Sequence, residues 1–252
     1  MDFTGQYILV TGASRGIGRA CALEFARLGG TVAVHYHSND DAARSTLMTL
    51  AGTGHTVVAA DIADPAGVDR LIEQVIHAFG RIDVVINTAT VFEEHAPATV
   101  DYAAWCGAWT RTLATNLIGA ANISYRAAQH MLAIGGGRII NISSQVAFNG
   151  APDAPAYAVS KAGLNALSQS LALAYGPHNI YVYTIAPGIM EADSGARERQ
   201  SATADARRNQ SPLGRAGTPE EIARTAAFLA SPGAEMLTGG IIDINGAAYL
   251  RS

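Results

Sequence analysis

A short apolar run, Tyr7-Ile8-Leu9-Val10, passes directly into Thr11-Gly12-Ala13-Ser14-Arg15-Gly16-Ile17-Gly18. Over residues 19–28 the apolar residues Ala22, Leu23, Phe25, Ala26 and Leu28 then recur at helical spacing, and Gly29-Gly30 ends the segment. Strand, glycine-rich turn and helix in this order leave a chain few folds to adopt. Gly12 permits the tight turn, Gly16 lets backbone approach a pyrophosphate, and Gly18 lets the helix sit close to the sheet. The helix start then faces an anion with N–H groups and the positive end of its dipole. The spacing GxxxGxG differs from the usual GxGxxG fingerprint, so the turn takes its meaning from its place between the first strand and the first helix.

The alternation continues down the chain. Strands are expected at 31–36, 56–61 and 82–87, with helices at 40–50 and 65–79 between them. Regular β-then-α order without a break in composition argues for one doubly wound α/β domain over residues 1–252, with a parallel sheet and helices on both faces. A hydrophobic content of 49% against 15% charged residues supports a large core. The net charge of −4 offers no basic footprint for nucleic acid, and no apolar run approaches membrane length. Residues 1–10 read into a strand rather than a signal peptide. Cys21 and Cys106, far apart, read as packed free thiols of a cytoplasmic protein. The seven histidines form no cluster with Cys or acids, so no metal is expected.

Of the 17 Lys and Arg residues one alone is lysine, Lys161, in Tyr157-Ala158-Val159-Ser160-Lys161. A chain that uses Arg everywhere else needs an ammonium here: a compact charge with rotatable donors instead of a rigid fork. On a helix, expected at 156–175, Tyr157 and Lys161 share a face. A nearby cation favours the phenolate and is expected to lower the tyrosine's pKa toward the range useful for acid–base chemistry.

The Gly turn and the YxxxK pair together resemble the short-chain dehydrogenase/reductase family, along nearly the whole chain. Asp61-Ile62, Thr115-Asn116-Leu117-Ile118-Gly119, Arg138-Ile139-Ile140-Asn141-Ile142-Ser143-Ser144, Ala186-Pro187-Gly188, Pro212-Leu213-Gly214-Arg215, Thr218-Pro219-Glu220-Glu221-Ile222 and Leu237-Thr238-Gly239-Gly240 fit its pattern. The 3-oxoacyl-carrier-protein reductase branch looks most similar. The resemblance implies a Rossmann-like fold with seven strands, a substrate lid at about 189–214, and a homotetramer or homodimer. It makes Asn116, Ser144, Tyr157 and Lys161 the catalytic set. Ser144 lies 13 residues before Tyr157, and Ser143 is expected to face the other side of its strand. By the same resemblance the cofactor meets Gly12, Ser14, Arg15, Gly16, Ile17 and Gly18, then His37 and Ser38, Asp61 and Ile62, Asn87 and Ala89. Tyr157, Lys161, Pro187, Gly188 and Met190 complete the set.

The chemistry implied is hydride transfer between NADP(H) and a small-molecule ketone or secondary alcohol, with Tyr157 as acid/base. Ser144 hydrogen-bonds the carbonyl oxygen, Lys161 holds the ribose, and Asn116 holds a water leading to Lys161. The second strand ends Val34-His35-Tyr36-His37-Ser38 without the acid that an NAD enzyme uses on the ribose, and Arg15 supplies a positive charge. That pairing predicts NADPH. Carrier-using members dock an acidic partner on basic helix ends. Here those ends read Leu132-Ala133-Ile134-Gly135-Gly136 and Tyr175-Gly176-Pro177-His178, without Arg or Lys, so a free small ketone is expected. Three departures stand out: Asn87-Thr88-Ala89-Thr90 where the family has Asn-Asn-Ala-Gly, Ala192 in place of a Thr, and a longer stretch from Ala89 to Asn116. Thr90 disfavours positive φ and crowds the cofactor. Phe92, Trp105 and Trp109 in that stretch read as helix packing or as the substrate mouth. A pterin-like C=N reductase, suggested by the His35–Ser38 run, and a non-catalytic dinucleotide-binding sensor are the other readings.

Overall fold

The computed structural model describes residues 1–191 and 211–251. Most of the expected lid, with Ala192, lies outside the described residues. Seven parallel strands, β1 (Tyr7–Thr11), β2 (Thr31–Tyr36), β3 (Thr56–Ala59), β4 (Val84–Asn87), β5 (Gly137–Ile142), β6 (Ile180–Pro187) and β7 (Ile241–Ile244), form one sheet in the order β3-β2-β1-β4-β5-β6-β7. The direction of strand addition reverses at β1, which places a crevice at the carboxyl ends of β1 and β4, where open α/β sheets bind ligands.

Successive strand residues point to opposite faces, and both faces are apolar, as a sheet covered on two sides requires. Ile8, Val10, Ile86, Ile140 and Ile185 pack on one side against α1 (Gly16–Arg27) and a C-terminal helix, α8 (Pro219–Ala230). Leu9, Val85, Ile139 and Val182 pack on the other, with α3 (Pro65–Phe79) and α5 (Ala120–Ile134). The helices α2 (Asp40–Thr49), α4 (Tyr102–Leu113), α6 (Val146–Asn149) and α7 (Pro155–Tyr175) complete the described set. Local signals set the ends: Asp64 caps α3 ahead of Pro65, and Gly80 closes it at φ 79°.

A buried polar ladder crosses the middle of the sheet. The Asn87 side-chain amide donates to Asn141 Oδ1 at 2.8 Å and to Ser124 Oγ of α5 at 3.1 Å. Asn141 in turn donates to Ser168 Oγ of α7 at 2.8 Å. Asn87 and Asn141 are direct register partners on β4 and β5. The ladder thus ties two strands to the two helices that carry the rest of the site.

Candidate active site

The glycine turn is built for close approach. Gly12 and Gly16 take φ of 64° and 55°, which side-chain-bearing residues avoid. A Cβ on Gly12 would lie 2.8 Å from Ala89 Cα, and one on Gly18 would lie 2.3 Å from Gly12 O and 2.6 Å from Thr88 Oγ1. The turn is clamped from below by His35. Its Nδ1 accepts from Gly12 N–H at 3.1 Å, so the proton sits on Nε2, which donates to Ala60 O at 3.1 Å. Burial pushes His35 down to about 4, keeping it neutral. Sequence reasoning noticed His35 beside the pocket but not this role.

The other expected cofactor contacts fall around the crevice unevenly. Arg15 is exposed at the N-cap of α1 and supplies no side-chain cap, and no acid occupies the first turn. Ser14 and Ile17 are half-buried beside it, Ile17 against the core. His37 and Ser38 are exposed at the end of β2, with His37 Nε2 3.9 Å from an Asp61 carboxylate oxygen. Asp40, the nearest acid on α2, is engaged by the Tyr36 hydroxyl at 2.7 Å and Arg44 at 2.6 Å. Ile62 is buried, and a Cβ on Gly119 would lie 2.7 Å from its carbonyl, so Ile62 serves packing with its side chain. The Asn87 side chain likewise belongs to the ladder, not to the crevice.

The altered fourth-strand turn is well held. Thr88 Oγ1 donates to Thr11 O, while Thr88 N and Ala89 N donate to Thr11 Oγ1 at 3.1 and 3.2 Å. Thr90 takes no positive φ, as expected of a β-branched residue: among the described residues only Asn179 and Ala247 do so without being glycine. The reshaped turn follows the hydroxyl bonds to β1. After β6, Gln145 N donates to Pro187 O at 2.9 Å, Gly188 N donates to Ile244 O at 2.9 Å, and Met190 bridges to Gly217. A Cβ on Gly188 would lie 2.7 Å from Asn245 Cβ and 3.1 Å from Gln145 Oε1, a buried oxygen without a partner among the described residues. A glycine cradle that any side chain would fill, a helix start free of acids and a buried acceptor without a described partner on the Gly188 turn fit a nicotinamide dinucleotide.

Beyond the end of β5 the catalytic candidates converge. Ser144 is half-buried, and its hydroxyl hydrogen-bonds Tyr157, which opposes the rise that burial imposes on the phenol. Ser143 is buried and donates to Lys161 O at 3.1 Å, so of the two serines only Ser144 is turned to Tyr157. Lys161 is 3% exposed; its Nζ donates to Ile142 O at 2.8 Å and lies 5.6 Å from the Tyr157 ring centroid. Burial pushes Lys161 down to about 8. The expected lowering of Tyr157 is therefore corrected: the protein's own groups raise it, because burial outweighs Ser144 and the ammonium is aimed at the Ile142 carbonyl.

Asn116 sits in a π-turn, Ala114–Gly119, set between α4 and α5. Its amide donates to Val91 O at 2.9 Å and to Ser160 Oγ at 3.2 Å, and its Oδ1 accepts from Val91 N at 2.8 Å. The side chain joins the loop after β4 to α7. Phe92 meets the Tyr157 ring edge-on at 5.2 Å and is 59% exposed. Trp105 packs between His95 at 5.6 Å and Trp109 at 5.5 Å, which is helix packing. Among the described residues no three His, Cys, Asp or Glu side chains gather as a metal site.

A family model described as enoyl-(acyl carrier protein) reductase matches residues 12–247. The chain belongs to the short-chain dehydrogenase/reductase family. This dehydrogenase/reductase is 35% identical to the L-rhamnose 1-dehydrogenase (NAD(P)(+)) of Sphingomonas sp. strain SKA58, covering 98% of this chain and 97% of that one. It is 35% identical to 3-oxoacyl-(acyl-carrier-protein) reductase FabG of Staphylococcus aureus strain Mu50, covering 96% and 97%. It is 36% identical to the D-threitol dehydrogenase of Mycolicibacterium smegmatis, covering 98% and 94%. The family fixes a hydride-transfer oxidoreductase that uses a nicotinamide dinucleotide on small molecules. No helix of the described residues is long and apolar enough to cross a membrane.

Proposed function

We propose that the chain is an NADP(H)-dependent ketone reductase and alcohol dehydrogenase with Tyr157 as acid/base, acting on a free small carbonyl or alcohol. The observation that carries this reading is the meeting of Ser144, Tyr157 and Lys161 beyond the end of β5, at the same edge of the sheet as the glycine turn after β1. When bound, the nicotinamide supplies the hydride to the carbonyl carbon, or takes it from the alcohol. Ser144 and Tyr157 hydrogen-bond the substrate oxygen, and in reduction Tyr157 gives that oxygen its phenolic proton. A phenol raised by burial is protonated at neutral pH, which suits donation; the alcohol-oxidising direction needs the phenolate and gains with rising pH. Lys161 presents its ammonium beside the ribose position and, through the Ile142 carbonyl, is fixed to the strand that leads into Ser144.

The NADPH preference rests on Arg15, exposed and without a carboxylate partner among the described residues, and on a β2 end, His35 to Ser38, that carries no acid of its own. A free substrate is supported by the helix ends at 132–136 and 175–178, which offer an acidic carrier no Arg or Lys. Exposed Ile118, Tyr125, Val159 and Leu173 on α5, α7 and the π-turn support a homo-oligomer, and the free thiols Cys21 and Cys106 a cytoplasmic protein. A panel of small ketones, sugars and polyols with NADP(H) tests the core of the reading. Tyr157→Phe is expected to lose about 10²–10⁴-fold in turnover while keeping its cofactor affinity. Wild-type turnover in that variant refutes the assignment.

A further inference from the structure

Helix α7 carries Tyr157 and Lys161, yet its own N-terminus is poorly provided for. Ala154 at the N-cap makes no side-chain bond, and Pro155 has no N–H. The N–H of Ala156, one residue before Tyr157, donates instead to Nε2 of His95, 3.1 Å away. The imidazole is 2% exposed. An accepting Nε2 places the proton on Nδ1, which donates to Glu93 O at 2.7 Å. The His95 backbone N–H donates to Asp153 O at 2.7 Å, just ahead of the helix, and Trp105 closes over the ring edge. The same loop sends Phe92 against the Tyr157 ring and Val91 onto Asn116. One ring therefore joins the loop after β4 to the first turn of the helix that presents the phenol.

We infer that His95 is a positioning residue for Tyr157: by capping Ala156 from the loop it fixes where the Tyr157 hydroxyl stands relative to Ser144. The inference rests on the reading of Tyr157 as proton donor. A helix start released from its cap shifts the phenol, and a misplacement of about 1 Å at a reacting group costs on the order of 10²-fold. His95 is buried with both ring nitrogens engaged by backbone, so the loss is expected in kcat and not in cofactor affinity.

The test compares wild type, His95→Phe, which keeps the ring against Trp105 but removes the acceptor, and His95→Gln, which restores an acceptor. Measurements are kcat at saturating NADPH, cofactor Kd by protein fluorescence, and the ¹⁹F signal of 3-fluorotyrosine placed at 157. His95→Phe is expected to lower kcat about 10–100-fold with Kd unchanged and the ¹⁹F signal shifted, and His95→Gln to return both toward wild type. His95→Asn, polar but too short to reach Ala156, takes the place of His95→Phe if that variant does not fold. An unchanged kcat and an unshifted signal in the variant without an acceptor overturn the inference, as does a loss that Gln fails to restore. If Tyr157→Phe retains turnover while the ¹⁹F signal still moves and returns, positioning stands and the proton-donor reading falls.

Discussion

Lys161 is the chain's only lysine, and substituting it separates function from stability. Its ammonium is 3% exposed and its pKa is pushed from 10.5 to about 8 by burial. At about 1.4 kcal/mol per pH unit, that gap means the charged form costs the folded state about 3 kcal/mol. Below pH 8 both folded and unfolded chains are protonated and the cost is present in full. Between about 8 and 10.5 the folded chain sheds the proton that the unfolded chain keeps, so stability rises with pH across this window. Lys161→Met keeps the length of the stem and removes the charge, at the loss of one charge-assisted hydrogen bond to Ile142 O, worth about 1.5–3 kcal/mol. At pH 7 the variant should be as stable as wild type or up to about 2 kcal/mol more so, while losing its activity. Relative to the variant, wild type should then gain about 3 kcal/mol on going from pH 7.5 to 10.5, about 6–12 °C in Tm for a domain of this size. Thermal and urea melts of both proteins across that range read the difference directly, since the tyrosines and Cys21 titrate in both and cancel. Parallel curves would refute the idea that a solvent-excluded ammonium is held here against its own desolvation.

Arg15→Ala is expected to erode a preference for NADPH over NADH of about 10–100-fold in kcat/KM, mainly through NADPH binding, since a guanidinium–phosphate contact is lost; equal efficiencies in wild type would sink that assignment. His35 yields a prediction on the acid side. Its pKa falls from 6.5 to about 4 in the folded state, so the unfolded chain takes up a proton first and stability drops as pH falls through that window. Wild type should lose up to about 3 kcal/mol relative to His35→Asn between pH 6.5 and 4, seen as a pH-dependent Tm difference; a constant difference would show that the folded chain protonates the ring as readily as the unfolded one.

Where sequence reasoning succeeded, it followed short-range patterns. Alternating strand and helix signals, the glycine turn, and the Tyr157–Lys161 spacing each carry their structural meaning within a few residues. Boundaries moved where the third dimension intervened. Apolar periodicity begins at residue 19, but α1 starts at Gly16, because its first turn belongs to the glycine loop. β3 stops at Ala59 and Asp61 turns the chain by accepting from Ala63 N at 2.9 Å. β4 starts at Val84, where pairing with both Ile8 and Arg138 begins. The π-turn around Asn116 leaves no mark in residue spacing. Nor does the tie between His95 and Ala156, 61 residues apart, or the Asn87–Asn141 pair, whose partners meet only when the sheet is assembled. The direction of the Tyr157 shift needed burial, which a YxxxK motif does not contain.

The Asn87–Asn141 contact also bears on the accuracy with which this sheet assembles. Parallel strands of mixed Val and Ile side chains slide past one another with little to choose between alignments on apolar grounds alone. Moving β5 along β4 by one residue displaces it about 3.3 Å and turns its inward face outward. Either shift would leave two buried carboxamides facing hydrocarbon, at about 1–3 kcal/mol for each group left unsatisfied. Thr88 and Ser144 follow directly on these two strands, so the same slip would part Ser144 from the glycine turn by more than a hydrogen-bond length. One amide pair in the interior thus acts as the alignment mark for a reactive edge that it never touches.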